Sequence, residues 1–145
     1  MPPPHLLLGQ AGEAAAARHL EAAGLRILDR NWRDGRLELD IVCEARDGTL
    51  VFVEVRTRSP RSRGAPAETI TPAKQRLLAR AAAAWLSAHD SWHRACRFDV
   101  LAVCAPHPVR SHEINPEEAW IITHHPHAFE VADALDRGHA HWQPW

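Results

Sequence analysis

Two runs that alternate apolar and polar positions, Leu37–Cys43 and Leu50–Thr57, flank the turn signal Asp47-Gly48 and predict a β-hairpin. A two-residue loop would set Asp40 opposite Val55 and Glu54 opposite Ile41, mixing charged and apolar side chains on both faces. A three-residue loop, Arg46-Asp47-Gly48 with Gly48 left-handed, instead pairs 39 with 55, 41 with 53 and 43 with 51. Those pairs are Leu/Val, Ile/Val and Cys/Val, a wholly apolar face. The other face carries Glu38 opposite Arg56, Asp40 opposite Glu54 and Val42 opposite Phe52. Because a slip of one residue turns every side chain over, the hydrophobic pattern selects the second register.

The same patterning predicts the remaining elements. Gly9 to Ala23 is an alanine-rich helix stopped by Gly24. Leu25–Trp32 is a first strand that runs through Arg33-Asp34-Gly35 into the hairpin, making an antiparallel meander. Thr71-Pro72 supplies an N-cap and a proline at the first helical position, opening a helix to Ala88 whose buried stripe is Leu77, Leu78, Ala81, Trp85 and Ala88. Arg97–Cys104 is an apolar strand after that helix, hence a right-handed crossover that lays it parallel to the Glu54 strand. Glu118–Thr123 reads as a last edge strand and Ala128–Leu135 as a short terminal helix. The expected fold is α/β, a mixed sheet flanked by helices, with one domain over 9–129 and flexible or weakly docked termini at 1–8 and 130–145.

Composition narrows the class. A chain of 145 residues with 46% hydrophobic content supports a single core. A net charge of −1 does not advertise a polyanion binder, so electropositive surface has to come from local clustering. The opening Met1-Pro-Pro-Pro-His-Leu-Leu-Leu lacks a basic region before a short apolar run, which argues against a signal peptide or membrane span and makes the cytoplasm the expected location. Cys43, Cys96 and Cys104 form no Cys-x-x-Cys array and read as reduced core residues. The later histidines, His124, His125 and His127 among them, lack the helical spacing of a zinc site and read as part of a polar tail.

The candidate chemistry sits on the hairpin. Like charges directly opposite on neighbouring strands are destabilising. A divalent cation between Asp40 and Glu54, Mg²⁺ (or Mn²⁺) given oxygen-only donors, offsets the repulsion; the alternative is a solvated edge hairpin with scattered charges. Glu13 has two readings: an acid near a helix start that complements the dipole, or a third carboxylate aimed at the hairpin. Arg56, Arg58, Arg61 and Arg63 form a basic run just past Glu54, either a solvated loop or a contact for a phosphate backbone. Lys74 is the only lysine among 17 Lys and Arg residues; a compact ammonium there suits close approach to a phosphate, and an exposed first-turn lysine is the bland alternative.

Taken together, Glu13, Asp40, Glu54-Val-Arg56 and Lys74-Gln75 resemble the PD-(D/E)xK nuclease superfamily. More closely, Gly9…Gly12-Glu13, Asn31-Trp-Arg, Glu38-Leu-Asp40, Val51-Phe-Val-Glu-Val-Arg56, Thr71-Pro-Ala-Lys-Gln75, Arg97-Phe-Asp-Val100 and Ala128-Phe129 resemble the YraN-type family of uncharacterised bacterial proteins. That resemblance runs from about Gly9 to Phe129 and implies a restriction-endonuclease-like three-layer core, a divalent metal and a nucleic-acid partner, DNA before RNA. Two departures stand out. Leu37-Glu-Leu-Asp40 replaces the usual Gly-Glu-Ile-Asp and keeps both acids. Arg56 occupies the place of the superfamily's lysine; arginine stays protonated and cannot relay a proton, although it can stabilise charge on a phosphate, with Glu38 opposite to hold it.

The leading expectation is therefore a metal-dependent nuclease. Asp40, Glu54 and Glu13 are the metal ligands, Arg56 and Lys74 the charge-stabilising groups, Glu38 and Gln75 supporting residues, and Arg58, Arg61 and Arg63 the nucleic-acid contacts. Two alternatives stand beside it: a non-catalytic nucleic-acid-binding module on the same fold, and a structural or interaction protein. A homodimer is left open, and no membrane partner is expected.

Overall fold

A computed structural model describes residues 4–58, 70–105 and 120–130. Its elements are α1 (Pro4–Ala22), β1 (Arg26–Asp34), β2 (Leu37–Glu44), β3 (Leu50–Arg58), α2 (Pro72–Ala88), β4 (Cys96–Cys104) and β5 (Ile121–Phe129). One sheet in the order β1-β2-β3-β4-β5 holds all five strands. The first three form the expected antiparallel meander, β4 lies parallel to β3 after the α2 crossover, and β5 returns antiparallel to β4. The sheet is mixed, with a helix on each face, the architecture of a restriction-endonuclease-like core.

Alternation along the strands separates two cores. Leu50, Phe52, Phe98 and Val100 pack with Leu78, Ala81, Trp85 and Leu86 of α2, whereas Val51, Val53, Leu101 and Val103 pack with Ala15, Ala16, Ala17 and Leu20 of α1. On the α2 side Phe52 stacks on Phe98 at 5.5 Å and meets Trp85 edge-on at 5.9 Å. Such pairs add about 0.5–1.5 kcal/mol each beyond the area they bury. The Trp85 indole N–H is satisfied by Asp29 at 3.2 Å.

Local signals act as expected at the turns and caps. Gly48 has φ +90°, Ala45 N–H donates to the Thr49 carbonyl, and the pairs Ile41↔Val53, Val42↔Phe52 and Cys43↔Val51 establish the three-residue-loop register. The Thr71 hydroxyl accepts from Lys74 N–H at 3.2 Å ahead of Pro72, capping α2. Gly12 decides how closely α1 approaches the sheet: a Cβ there would collide with the Thr57 side chain, so glycine lets the helix rest against β3.

Several expectations are corrected. α1 begins at Pro4 rather than Gly9. The buried stripe of α2 runs through Leu78, Ala79, Ala81, Ala82, Trp85 and Leu86, leaving Leu77 49% exposed and Ala88 at the surface. Helical spacing permits either stripe, and docking against β2 chooses the rotation. Ala128 and Phe129, expected to start a helix, end β5 instead, with Phe129 stacked on Phe98 at 4.6 Å. The remainder of that expected helix, and the segment bearing Arg61 and Arg63, lie outside the described residues. All three cysteines are free and lie on strands; Cys43 is buried, Cys96 and Cys104 half-buried.

Candidate active site

The hairpin ladder stops at Ile41↔Val53. In a continued ladder Val55 N–H would donate to the Leu39 carbonyl; here it donates to Asp40 Oδ2 at 2.8 Å. A half-buried carboxylate has captured a backbone donor. The strands part, and Leu39 joins the α2 core while Val55 packs on the α1 core, so the expected Leu39/Val55 pair does not form.

The expected encounter of Asp40 with Glu54 does occur. Their carboxyl groups lie close enough for the protonation of one to depend on the other. Burial, then the charge of Asp40, pushes Glu54 up to about 7 against the pull of Lys74 and Arg56. Burial also raises Asp40, opposed by the Val55 N–H, by Glu54 and by Lys74. Lys74 Nζ stands 3.6 Å from Glu54 Oε1; the Glu54 side chain is 11% exposed and that of Lys74 36%. The cap at Thr71 holds this lysine in the first turn of α2, and Gln75 reinforces the cap by donating to the Ile70 carbonyl at 2.9 Å. Gln75 therefore supports the helix start and does not enter the acidic pair.

Glu13 comes from the opposite helix. Because α1 starts at Pro4, Glu13 lies well beyond the first turn, and the dipole reading falls away. Burial, followed by the charge of Asp40, raises its pKa, while the nearby Asn31 side chain and the charge of Arg30 pull it down. Glu38 departs from expectation: it forms an exposed ion pair with Arg33 of β1 at 3.4 Å, because the parting strands leave it nearer β1 than Arg56. Arg56 lies on β3 with a buried Nε, its charge felt by Glu54. Arg58 ends β3, its carbonyl accepting from Ala105 N–H at 3.2 Å.

Among the described residues no three His, Cys, Asp or Glu side chains come close enough together to hold a metal ion, so Glu13 does not stand with Asp40 and Glu54 as a third ligand in this structure. The Asp40–Glu54 pair nevertheless fits a hard divalent ion: two adjacent carboxylates, raised chiefly by burial, offer oxygen donors only. Mg²⁺ characteristically takes one or two carboxylates and keeps several waters.

A second buried acid went unnoticed in the sequence. Asp99 on β4 is 1% exposed and accepts from His124 Nε2 at 2.7 Å, Arg97 Nε at 3.1 Å and His127 N–H at 3.1 Å. Burial alone would raise it, but the His124, Arg97 and His127 hydrogen bonds hold its carboxyl below the usual range. His124 and His127 belong to β5 and not to a polar tail. Arg97 and His124 also line an open cleft of about 400 Å³ with Gly24, Arg46 and Asp47. An aspartate inside an otherwise apolar strand was the available signal.

These features define an α/β protein with a restriction-endonuclease-like core and paired carboxylates on adjacent strands beside the head of the crossover helix. The chain belongs to the uncharacterised protein family UPF0102, whose sequence profile matches residues 12–103, in agreement with the YraN-type resemblance. It is similar to the UPF0102 protein of Oleidesulfovibrio alaskensis, 37% identical over an alignment of 193 positions that covers 99% of this chain and 95% of that protein. The UPF0102 protein of Nitratidesulfovibrio vulgaris is 44% identical over 137 residues, 94% of each chain. That of Beutenbergia cavernae is 53% identical over 97 residues, 66% of this chain and 80% of the other. Among the described residues no helix is long and apolar enough to cross a membrane.

Proposed function

We propose that the chain is a metal-dependent phosphodiesterase acting on nucleic acid, DNA in preference to RNA. The closeness of Asp40 and Glu54 carries this reading: two half-buried carboxylates side by side favour either a proton on one of them or a cation between them. Asp40 and Glu54 would hold Mg²⁺ or Mn²⁺, with Glu13 a third ligand only if the cation draws it in. When bound, the cation supplies Lewis acidity toward a phosphoryl oxygen and toward water.

The remaining roles belong to the chain. Lys74, anchored by the cap and 3.6 Å from Glu54, places an ammonium where a phosphate approaching the pair would gather charge. Arg56 stays protonated, so its part is electrostatic stabilisation of a pentacovalent phosphorus and not proton transfer. Arg58, Arg61 and Arg63 follow on the same strand and the segment beyond it, a run suited to the phosphate backbone.

The test is a panel of single-stranded, duplex and branched substrates with Mg²⁺ or Mn²⁺. Cleavage of at least one, abolished by Asp40→Asn in a folded variant, is the expected result. Cleavage of none, or cleavage that survives Asp40→Asn, overturns the proposal. Arg56 in the superfamily's lysine position favours a second reading, a binding module without hydrolysis. It predicts salt-dependent binding that needs Arg58, Arg61 and Arg63 and persists in chelator.

A further inference from the structure

Asp99 itself is sealed from solvent, but two of the side chains it holds face an opening. Phe98 and Val100 pack toward α2 and Leu101 toward α1, so strand alternation puts Arg97 and Asp99 on the α1 side. His124 reaches the same side from β5, its ring 6.4 Å from that of His19 on α1. There Arg97 and His124 line the open cleft of about 400 Å³ just past the C-terminal end of α1, and Arg46 joins them from the hairpin turn. Arg46 lies over Gly24, where a Cβ would stand 2.8 Å from its Nη2. The acidic pair is elsewhere. Glu54 faces Lys74 of α2, and the stretch of β3 between it and Val51, the partner of Arg97, spans roughly 10 Å.

The donors left over in the cleft set the chemistry it accepts. Arg97 spends Nε and Nη2 on Asp99, at 3.1 and 3.3 Å, and its Nη1 has no hydrogen bond among the described residues. His124 spends Nε2 on Asp99 at 2.7 Å, which leaves Nδ1; as an imidazolium it donates at both nitrogens. Arg46 is exposed and has no ion pair among the described residues. Asp99, 1% exposed, holds Arg97 and His124 from behind, as a buried carboxylate fixes groups presented to a ligand. Cationic donors thus come to one cleft from three elements. A phosphate group offers three acceptor oxygens to match them, whereas a carboxylate offers two in one plane. Apolar Leu25 and Ala45 beside them provide a surface for whatever the phosphate is attached to. Asp47, the acid on the rim, accepts the Thr49 N–H at 3.0 Å and opposes an anion.

We infer that this cleft is a binding site for a phosphate monoester, with Arg46, Arg97 and His124 as its contacts and Asp99 as the group that positions the last two. The site stands apart from Asp40 and Glu54, and the presence or absence of cleavage does not bear on it.

The test is calorimetric titration of the metal-free protein with inorganic phosphate, adenosine 5′-monophosphate, and one single-stranded oligonucleotide with and without a 5′-phosphate. NMR shifts of the His124 ring are read in parallel. Saturable binding of the phosphate-bearing probes, with movement of the His124 resonances, is the expected result. Arg46→Gln, at an exposed position, should weaken it about tenfold, the scale of one charge-assisted hydrogen bond. Asp47→Asn, which keeps an acceptor for the turn, should tighten it roughly threefold by removing a like charge. Asp40→Asn should leave this binding unchanged. Tighter binding of the mononucleotide than of inorganic phosphate identifies a free phosphate ester as the ligand; tighter binding of the oligonucleotide with its 5′-phosphate than without identifies a strand end. No saturable binding, binding indifferent to Arg46→Gln, or displacement by acetate as readily as by phosphate overturns the inference. Loss of binding in a folded Asp40→Asn variant also overturns it, by assigning the phosphate to the acidic pair.

Discussion

Asp99 and the Asp40–Glu54 pair are buried acids on neighbouring strands of one sheet, yet their environments push them in opposite directions. Asp99 is surrounded by donors that the chain itself provides, Arg97, His124 and the His127 N–H, and these hold its carboxyl ionised and low. The pair sits where the β2–β3 ladder has parted, with one backbone N–H, the Lys74 ammonium at 3.6 Å, the charge of Arg56 and each other. Glu54 rises to about 7 and Asp40 rises with it. A buried acid complete in its own hydrogen bonds ties strands together; one left wanting a positive charge is open to an external cation. On the proposed reading the two centres separate a structural use of buried charge from one that takes a cation.

The largest effect that distinguishes them is on stability. Asp99→Ala should lower the free energy of unfolding by about 3 kcal/mol at neutral pH, since it strands Arg97 and His124 at the β4–β5 seam. Urea denaturation measures this, and a loss below about 1 kcal/mol would remove the contrast. Divalent metal should act only on the other centre. Mn²⁺ at 100 times its dissociation constant should stabilise the protein by about 2.7 kcal/mol, and Asp40→Asn should abolish that gain in a thermal-shift titration.

The pH dependence of the metal-free protein follows from Glu54. Its folded pKa, about 7, lies above the ordinary 4.5, so the folded state binds the proton more tightly. That contribution to stability is full below about 4.5 and is lost as pH rises through about 7, on the order of 3 kcal/mol in all. Glu54→Gln should flatten this limb in denaturation series from pH 4 to 8. Asp99 has the reverse sign: its depressed pKa stabilises above the ordinary 3.8, and the contribution fades as pH falls through the folded value. The smallest effect concerns how α1 delivers Glu13. Gly12→Ala should cost about 1–2 kcal/mol by forcing a Cβ against Thr57, and Mn²⁺ affinity should fall with it.

Much of this was legible in the chain. The apolar pairs Ile41/Val53 and Cys43/Val51 selected the hairpin register because a one-residue slip would have exposed them, and that register brought Asp40 to Glu54. Thr71-Pro72 marked the start of α2 and with it the place of Lys74. These are local signals, carried by side-chain period, turn chemistry and caps. The Arg97–Asp99–His124 cluster was not legible, because its members are joined across strands separated by a segment with no pattern of its own.

By itself the sequence determined the strands, the crossover helix and the meeting of two acids on one hairpin, since each follows from neighbours within a few positions or from the requirement to bury an apolar face. Tertiary structure decided where the ladder breaks, which side Glu38 takes, how closely α1 rests on Thr57 and which buried acid finds its cations within the chain. Those outcomes depend on distances between residues far apart in sequence, where burial sets the strength of each charge and packing alone decides which partner is within reach.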